Sequence, residues 1–186
     1  MIKLIWPLDG INSEGMATKP GMNYVQGFGE HLLDYSQFGL KGHNGIDWAA
    51  PLGTPVLAVH DGSIQFLTEG INYGSGYGMN IRLYFDEEGY TWDCIYGHLQ
   101  GYEGLPRNVK AGDVIGYADS TGFSTGNHLH FGIRKIKNGI IENYNNGYFG
   151  YIDPMPFFRK ESMVRRFYIK DGAKIGVFIA DGFALG

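Results

Sequence analysis

The sequence predicts a mainly β protein with an antiparallel core, and two observations support this. It contains 30 glycines in 186 residues, and they fall between short apolar runs, as strands joined by tight turns require. No segment shows the apolar spacing of an amphipathic helix longer than about three turns. The predicted strands lie in 54–67, around an Asp61-Gly62 turn, in 79–99, around a Glu88-Gly89 turn, and, as shorter strands, in 109–118 and 128–136.

The composition is that of a globular protein with one well-filled core. Hydrophobic residues make up 44% and aromatic residues 15% of the chain, which is typical of a folded domain of this length. Fifteen basic and nineteen acidic residues give a net charge of −4, and no basic block or stripe is present to follow a phosphate backbone. We therefore expect no nucleic-acid partner.

Cysteine content and the chain start exclude further classes. Cys94 is the single cysteine, so neither an internal disulfide framework nor a thiolate-rich metal site can form. The first ten residues meet Trp6-Pro7 and Asp9 before any apolar stretch reaches the length of a signal peptide or membrane span. We expect no membrane insertion.

A His-Leu-His triplet in the last predicted strand is a candidate site. Side chains alternate across a strand, so His128 and His130 face one way and Leu129 and Phe131 the other. Two buried imidazoles on one face each need hydrogen-bond partners for both ring nitrogens. Because an exposed strand face can also carry two solvated histidines, the pair needs further partners to form a site.

His43 and Asp47 offer such partners if the backbone bends between them. On a straight strand their α-carbons would lie about 13 Å apart, too far to share one ion, and Gly45 is where the chain can bend. Two imidazoles and one carboxylate form a three-ligand set typical of catalytic zinc, which leaves a fourth position for water. The spacing does not say which histidine of the triplet would bind. His98, at the end of a predicted strand, completes the cluster.

Read in order, these motifs resemble those of the lysostaphin/LytM-type zinc endopeptidases. The segments that carry the resemblance are HNGIDWAAPLGTPVLAVHDGSI, GYGMNIRL, YGHL and VKAGDVIGYADSTGFSTGNHLHFGI, and together they span roughly 40–135. The resemblance implies a sandwich-like antiparallel core, built on a duplicated hybrid motif, whose long loops form a substrate groove. It also implies cleavage of peptide bonds in bacterial peptidoglycan, with one Zn²⁺ per chain and a peptidoglycan peptide as the partner.

Carried over by motif, the resemblance makes His43, Asp47 and His130 the zinc ligands. His98 and His128 become the unligated catalytic histidines beside the water that zinc activates. Such histidines can accept a proton from the water, stabilise the oxyanion and protonate the leaving amine. No His-Glu-x-x-His helix is present to supply a glutamate base.

Two positions depart from the pattern of the family. Asn127 stands where proline is often found, and Gly132 stands where an acidic residue is common. Neither position is a ligand, so the departures concern the geometry of the groove rim rather than the chemistry.

The resemblance fades beyond residue 140. We expect an endopeptidase domain over 1–160 and a C-terminal β extension over 161–186, which would be truncated from a longer protein or would dock to a larger one. A wall-cutting enzyme that starts at Met1 without a signal peptide would suit delivery by a bacteriophage, as a lysin or virion-associated enzyme. It would then act outside the cytoplasmic membrane, on the cell wall.

Other functions remain open at the level of the sequence. A catalytically inactive relative could bind peptidoglycan or activate another hydrolase, although such proteins usually lack ligands. A histidine phosphocarrier of similar β core uses two facing histidines, but it has no use for Asp47. A lipoyl-type carrier, suggested by VKAGDVIG, lacks a lysine at the required hairpin tip.

Overall fold

The structure is a computed structural model, and it describes residues 2–10, 22–69, 76–101 and 107–159. Eleven strands are found in this part of the chain: β1 (Asn23–Gln26), β2 (Ile46–Ala49), β3 (Pro55–Leu57), β4 (Gly62–Glu69), β5 (Gly78–Glu87), β6 (Tyr90–Leu99), β7 (Asn108–Val109), β8 (Val114–Tyr117), β9 (His128–Lys137), β10 (Ile140–Ile141) and β11 (Tyr151–Ile152). The helical content of the described residues is three short 3₁₀ turns, at Ser36–Phe38, Tyr144–Asn146 and Met155–Phe157. The mainly β prediction is confirmed.

Most of the strands form one large antiparallel sheet. Its order is β1-β2-β9-β6-β5-β4-β7, and β10 and β11 pair with the outer part of β9. A second sheet consists of β3 and β8, and it packs on the large sheet where Gly116 of β8 approaches the side chains of Leu99 and Ile81. The predicted sandwich-like core is therefore present.

The two faces of the large sheet have different roles. One face is apolar and carries fully buried side chains such as Trp48, Leu129 and Phe131. They pack against the N-terminal segment, whose Trp6 ring stacks on Phe158 with centroids 4.3 Å apart. The opposite face carries His128 and His130, which follow the alternation predicted for the triplet. Polar side chains on this face therefore sit on a rigid, well-buried scaffold.

The β5–β6 hairpin closes where the sequence predicts it. Glu88 and Gly89 have φ values of 54° and 76°, and positive φ at both central residues is what a two-residue type I′ hairpin turn requires. Ten-residue strands extend on each side of the turn. The pairing runs from Glu87 opposite Tyr90 back to Met79 opposite Leu99.

The two strands predicted around Asp61-Gly62 are present, but they lie in different sheets. Strands β3 and β4 both form, but β3 pairs with β8 while β4 pairs with β5 and β7. The reason is the Asp61 side chain, which accepts hydrogen bonds from the Ala111 amide (2.9 Å) and Lys110 Nζ (2.7 Å). These bonds hold the 58–61 connection against the turn before β8, so β3 and β4 do not form a hairpin.

The C-terminal prediction falls outside the described part of the chain. Residues 161–186, expected to form a β extension, are not described, so the boundary at 160 stays a prediction. Within the described residues, the two ends meet: the Leu4 amide donates to the Phe157 carbonyl, and the Arg159 amide donates to the Leu4 carbonyl, each at 2.8 Å.

A buried ion cluster lies on the polar face next to the histidines. Asp93, only 1% exposed, accepts from Arg134 Nε at 2.8 Å and pairs with Arg82 at 3.3 Å. Arg82 also donates to the hydroxyl of Tyr151. The Tyr151 ring lies over Gly132, where a Cβ would stand 3.0 Å from two ring carbons. Glycine at this departure from the family pattern therefore makes room for the tyrosine.

We expect Asp93→Ala to lower the free energy of unfolding by about 3–5 kcal/mol, because it leaves two largely buried guanidinium groups without their counter-charge. Urea titration of the purified variant measures this loss. Asp86→Ala is the control, since Asp86 is exposed and accepts a hydrogen bond from the Thr91 hydroxyl (2.6 Å), and it should cost less than about 1 kcal/mol. A loss at Asp93 no larger than the loss at Asp86 would contradict the interpretation.

Candidate metal centre and active site

Strand pairing brings the first two members of the site together. Strands β2 and β9 run antiparallel with Asp47 directly opposite His130, and cross-strand neighbours of this kind have touching side chains. Asp47 Oδ1 lies 2.9 Å from His130 Nδ1. Both side chains are nearly buried, at 13% and 3% exposed.

His43 joins them because the chain bends before β2. Asn44 and Gly45 lie in a bend, and His43 Nε2 lies 3.1 Å from Asp47 Oδ1 and 3.0 Å from His130 Nδ1. The bend passes so close to β9 that a Cβ on Gly45 would stand 2.5 Å from the Phe131 carbonyl oxygen and 2.7 Å from His130 Nε2. The bend predicted at Gly45 is confirmed, and a residue without a side chain is required there.

The tautomer of His43 follows from its backbone contact. His43 Nδ1 lies 3.1 Å from the Gly27 carbonyl oxygen, which can only accept, so Nδ1 carries the proton and Nε2 presents a lone pair. This hydrogen bond also fixes the orientation of the ring, as the outer partner of a metal-binding histidine does.

These three residues fit a metal ion. One atom from each of His43, Asp47 and His130 can be chosen so that all lie within 4.8 Å of one another. A lone pair on His43, a carboxylate oxygen and an imidazole nitrogen converge there, and a cation satisfies all three at once. Two imidazoles with one carboxylate are a donor set of catalytic zinc, so Zn²⁺ is the cofactor that this group suits.

The other two histidines lie beside the group and have fixed tautomers. His98 Nδ1 donates to the Thr121 carbonyl at 2.7 Å, and His128 Nδ1 donates to the Gly126 carbonyl at 2.8 Å. Each ring therefore presents its Nε2 lone pair. The ring centroids lie 4.5 Å apart, and His128 Nε2 lies 3.7 Å from Asp47 Oδ2. The structure thus brings all five predicted residues into one cluster.

His98 adopts a backbone conformation that is uncommon for its residue type. Its φ is 61°, at the end of β6, and its amide donates to the Tyr77 carbonyl at 2.7 Å. Left-handed residues of this kind occur where the surrounding structure determines the conformation, often at functional sites. The turn takes His98 out of the regular β6 alternation and places its ring against His128.

Burial controls protonation in the cluster. It lowers the pKa of His98 to about 3, and the neighbouring His128 and His130 act in the same direction. Burial also lowers the pKa of His130 to about 4, against the opposing effect of Asp47. Burial alone would raise the pKa of Asp47, but hydrogen bonds and charge from His130 and His43 together hold it well below its usual range. At neutral pH His98 and His130 are therefore uncharged and Asp47 is ionised.

Tyr77 and Asn44 also belong to the site. From the sequence, Tyr77 is one of several tyrosines that could stack on substrate, but a structural role is favoured for each, and Asn44 is not a candidate. Asn44 Nδ2 donates to the Tyr77 hydroxyl at 2.6 Å, and the Tyr77 ring lies 5.1 Å from the His130 ring. Because its carbonyl accepts from the His98 amide, Tyr77 contacts two members of the cluster, His98 and His130, as well as Asn44. The sequence contains thirteen tyrosines, and no pattern distinguishes Tyr77 from the others.

A groove with a volume of about 440 Å³ opens onto the five residues. Its walls come from the segment 25–40 on one side and the loop 123–127 on the other. Phe38 and Phe123 meet edge to face across it, with centroids 4.9 Å apart. Asn127, the other departure from the family pattern, is exposed at this rim.

The remaining histidine of note lies away from the groove. His60 stacks on Phe85 with ring centroids 4.0 Å apart, and its Nε2 lies 3.2 Å from Glu87 Oε2. This contact packs the turn before β4 against β5.

We expect Gly45→Ala to weaken zinc binding at least tenfold, because the new Cβ must displace either the Phe131 backbone or the His130 ring. Gly126→Ala is the matched control, since a Cβ there meets nothing within 4 Å on the same groove. Zinc titration of both proteins, with thermal unfolding to verify their folding, measures the difference. Equal zinc affinity in the two variants would contradict the proposed close approach.

The chain is similar to known peptidases. The model of peptidase family M23 matches residues 41–146. The DD-carboxypeptidase/endopeptidase Mpg of Neisseria meningitidis serogroup B is 45% identical over 92 residues, which cover 50% of this chain and 20% of that protein. The glycyl-glycine endopeptidase ALE-1 of Staphylococcus capitis is 35% identical over 143 residues, which cover 74% of this chain and 34% of that protein.

A solved structure shows the same architecture. The catalytic domain of lysostaphin from Staphylococcus simulans matches with a TM-score of 0.53 and 33% identity, over 73% of this chain and 90% of that domain. The chain thus spans between a fifth and a third of the two curated relatives named above, but nearly all of a catalytic domain. On the family match, which covers more than half of its length, the chain belongs to peptidase family M23.

Proposed function

We propose that this chain is a zinc-dependent endopeptidase that hydrolyses peptide bonds in bacterial peptidoglycan. The observation that carries the proposal is the convergence of His43, Asp47 and His130 to about 3 Å of one another, with two further histidines beside them in an open groove. Family membership and the names of the relatives support it, since both relatives described above are named as endopeptidases.

We assign His43, Asp47 and His130 as the metal ligands. When bound there, Zn²⁺ would supply a Lewis acid for the scissile carbonyl and would make water a stronger acid. The distances support His130 rather than His128 as the ligand of the triplet: His130 Nδ1 is 2.9 Å from Asp47, while His128 Nε2 is 3.7 Å away.

We assign His98 and His128 as the catalytic histidines. Both present an Nε2 lone pair because their Nδ1 protons are held by backbone carbonyls. One ring can accept the proton of the attacking water, and either can donate to the oxyanion or the leaving amine once protonated. The buried, uncharged state of His98 suits a group that must be able to accept a proton.

The site of action follows from this proposal. Cleavage of peptidoglycan takes place outside the cytoplasmic membrane, on the cell wall. Among the described residues, no helix combines the length and the apolar character that crossing a bilayer requires. Delivery by a bacteriophage and docking to a larger protein through residues 161–186 stay predictions.

Alanine variants should separate ligands from catalysts. His43→Ala, Asp47→Ala and His130→Ala each remove one of three protein ligands, so zinc affinity should fall by orders of magnitude and activity with it. His98→Ala and His128→Ala should keep about one zinc per chain while turnover falls by roughly 10²-fold or more. Zinc content by emission spectroscopy and peptide hydrolysis are measured on all five. Loss of zinc from His128→Ala, with zinc retained by His130→Ala, would exchange the two roles.

The purified protein should release new amino groups from some bacterial peptidoglycan, and a chelator should abolish this activity until zinc is restored. Amino groups appear because a peptide bond is hydrolysed, whereas glycan cleavage yields reducing sugar ends. Both products are measured on the same digest by colorimetric assay. Release of reducing ends alone, or full activity after exhaustive removal of metal, would reject the proposal. A protein that binds peptidoglycan without releasing either product would be an inactive relative.

A further inference from the structure

We propose that the groove selects a peptide bond flanked by a small apolar side chain, of the alanine class, over a bond between two glycines. This inference rests on the proposed endopeptidase function and names the class of bond that it would cut. The two relatives described above do not decide the matter, because one is named as a glycyl-glycine endopeptidase and the other as a DD-carboxypeptidase/endopeptidase.

The first argument is the apolar wall of the groove. Leu32 is 65% exposed, Val25 43% and Leu33 39%, and all three line the same groove. Single exposed apolar side chains are common on protein surfaces, but a group of them in one concave site marks a binding surface. Phe38 and Phe123 extend the apolar surface and close it from opposite walls.

The second argument is charge. Among the described residues that line the groove, Asp47 is the one carboxylate, and no lysine or arginine is present. Since Asp47 already faces His43 and His130, the described wall residues offer no counter-charge for an acidic or basic side chain next to the scissile bond. An uncharged residue is therefore favoured on the side of the bond that meets these walls.

The third argument distinguishes alanine from glycine. A glycine chain has no side chain with which to cover Leu32, Leu33 or Phe38, so its binding would leave much of this apolar surface in water. A methyl group placed in an apolar pocket is typically worth about 10- to 200-fold in selectivity. The groove volume of about 440 Å³ must also hold the backbone on both sides of the bond, which favours a methyl over a large side chain.

The test is digestion of peptidoglycan whose cross-links contain both alanyl bonds and glycyl-glycine bonds. The wild-type protein, loaded with zinc, is incubated with it, and mass spectrometry of the fragments identifies the residues at each new terminus. We expect at least tenfold more product cut next to alanine than between glycines. Equal or greater cleavage between glycines overturns the specificity proposal but supports the endopeptidase function. Absence of any new amino group from this and from glycine-free peptidoglycan overturns both.

A wall variant tests the residues themselves. In the double variant Leu32→Ala, Leu33→Ala, we expect the preference for alanyl bonds to fall about tenfold, through a higher KM, while the zinc content is unchanged. Leu52→Ala is the control, because Leu52 is 57% exposed and lies outside the groove. An unchanged preference in the double variant, with the fold verified by circular dichroism, would show that these leucines do not select the bond.

Discussion

The antiparallel pairing of β2 with β9 is the constraint on which the rest of the site depends. It places Asp47 opposite His130, and because side chains alternate, the same register turns Trp48 and Leu129 into the core. A slip of one residue would exchange the two faces of the strand. Burial of the apolar face therefore holds Asp47 and His130 opposite each other, so a change that disturbs the core also disturbs the proposed metal ligands.

Backbone carbonyls in the loops set the tautomers of three histidines in the cluster. The backbone carbonyls of Gly27, Thr121 and Gly126 each accept a hydrogen bond from the Nδ1–H of one histidine, so three rings present the lone pair of Nε2. His130 is the exception, because its Nδ1 faces Asp47 and His43. Loops thus determine the tautomers of these three rings, while the sheet places Asp47 opposite His130.

The polar face continues beyond the metal centre into buried charge. Arg82 lies with its guanidinium 5.8 Å above the Tyr77 ring, and Tyr77 packs on His130. Asp93 balances Arg82 and Arg134, which removes the cost of an unpaired buried charge. This part of the polar face of the sheet is therefore buried from water, whereas the part that carries the histidines opens into the groove.

The sequence by itself determined the fold class, the β5–β6 hairpin, the shared face of His128 and His130 and the bend at Gly45, because these follow from alternation, turn chemistry and short-range spacing. It also placed the five polar residues in one family pattern. Only the tertiary structure decided which nitrogen of each histidine ring carries the lone pair and that β3 pairs with β8 rather than with β4. It also decided that Tyr77 and Asn44 lie in the site. These features depend on contacts between residues far apart in the chain, such as Asp61 with Ala111. Local sequence patterns do not predict such contacts.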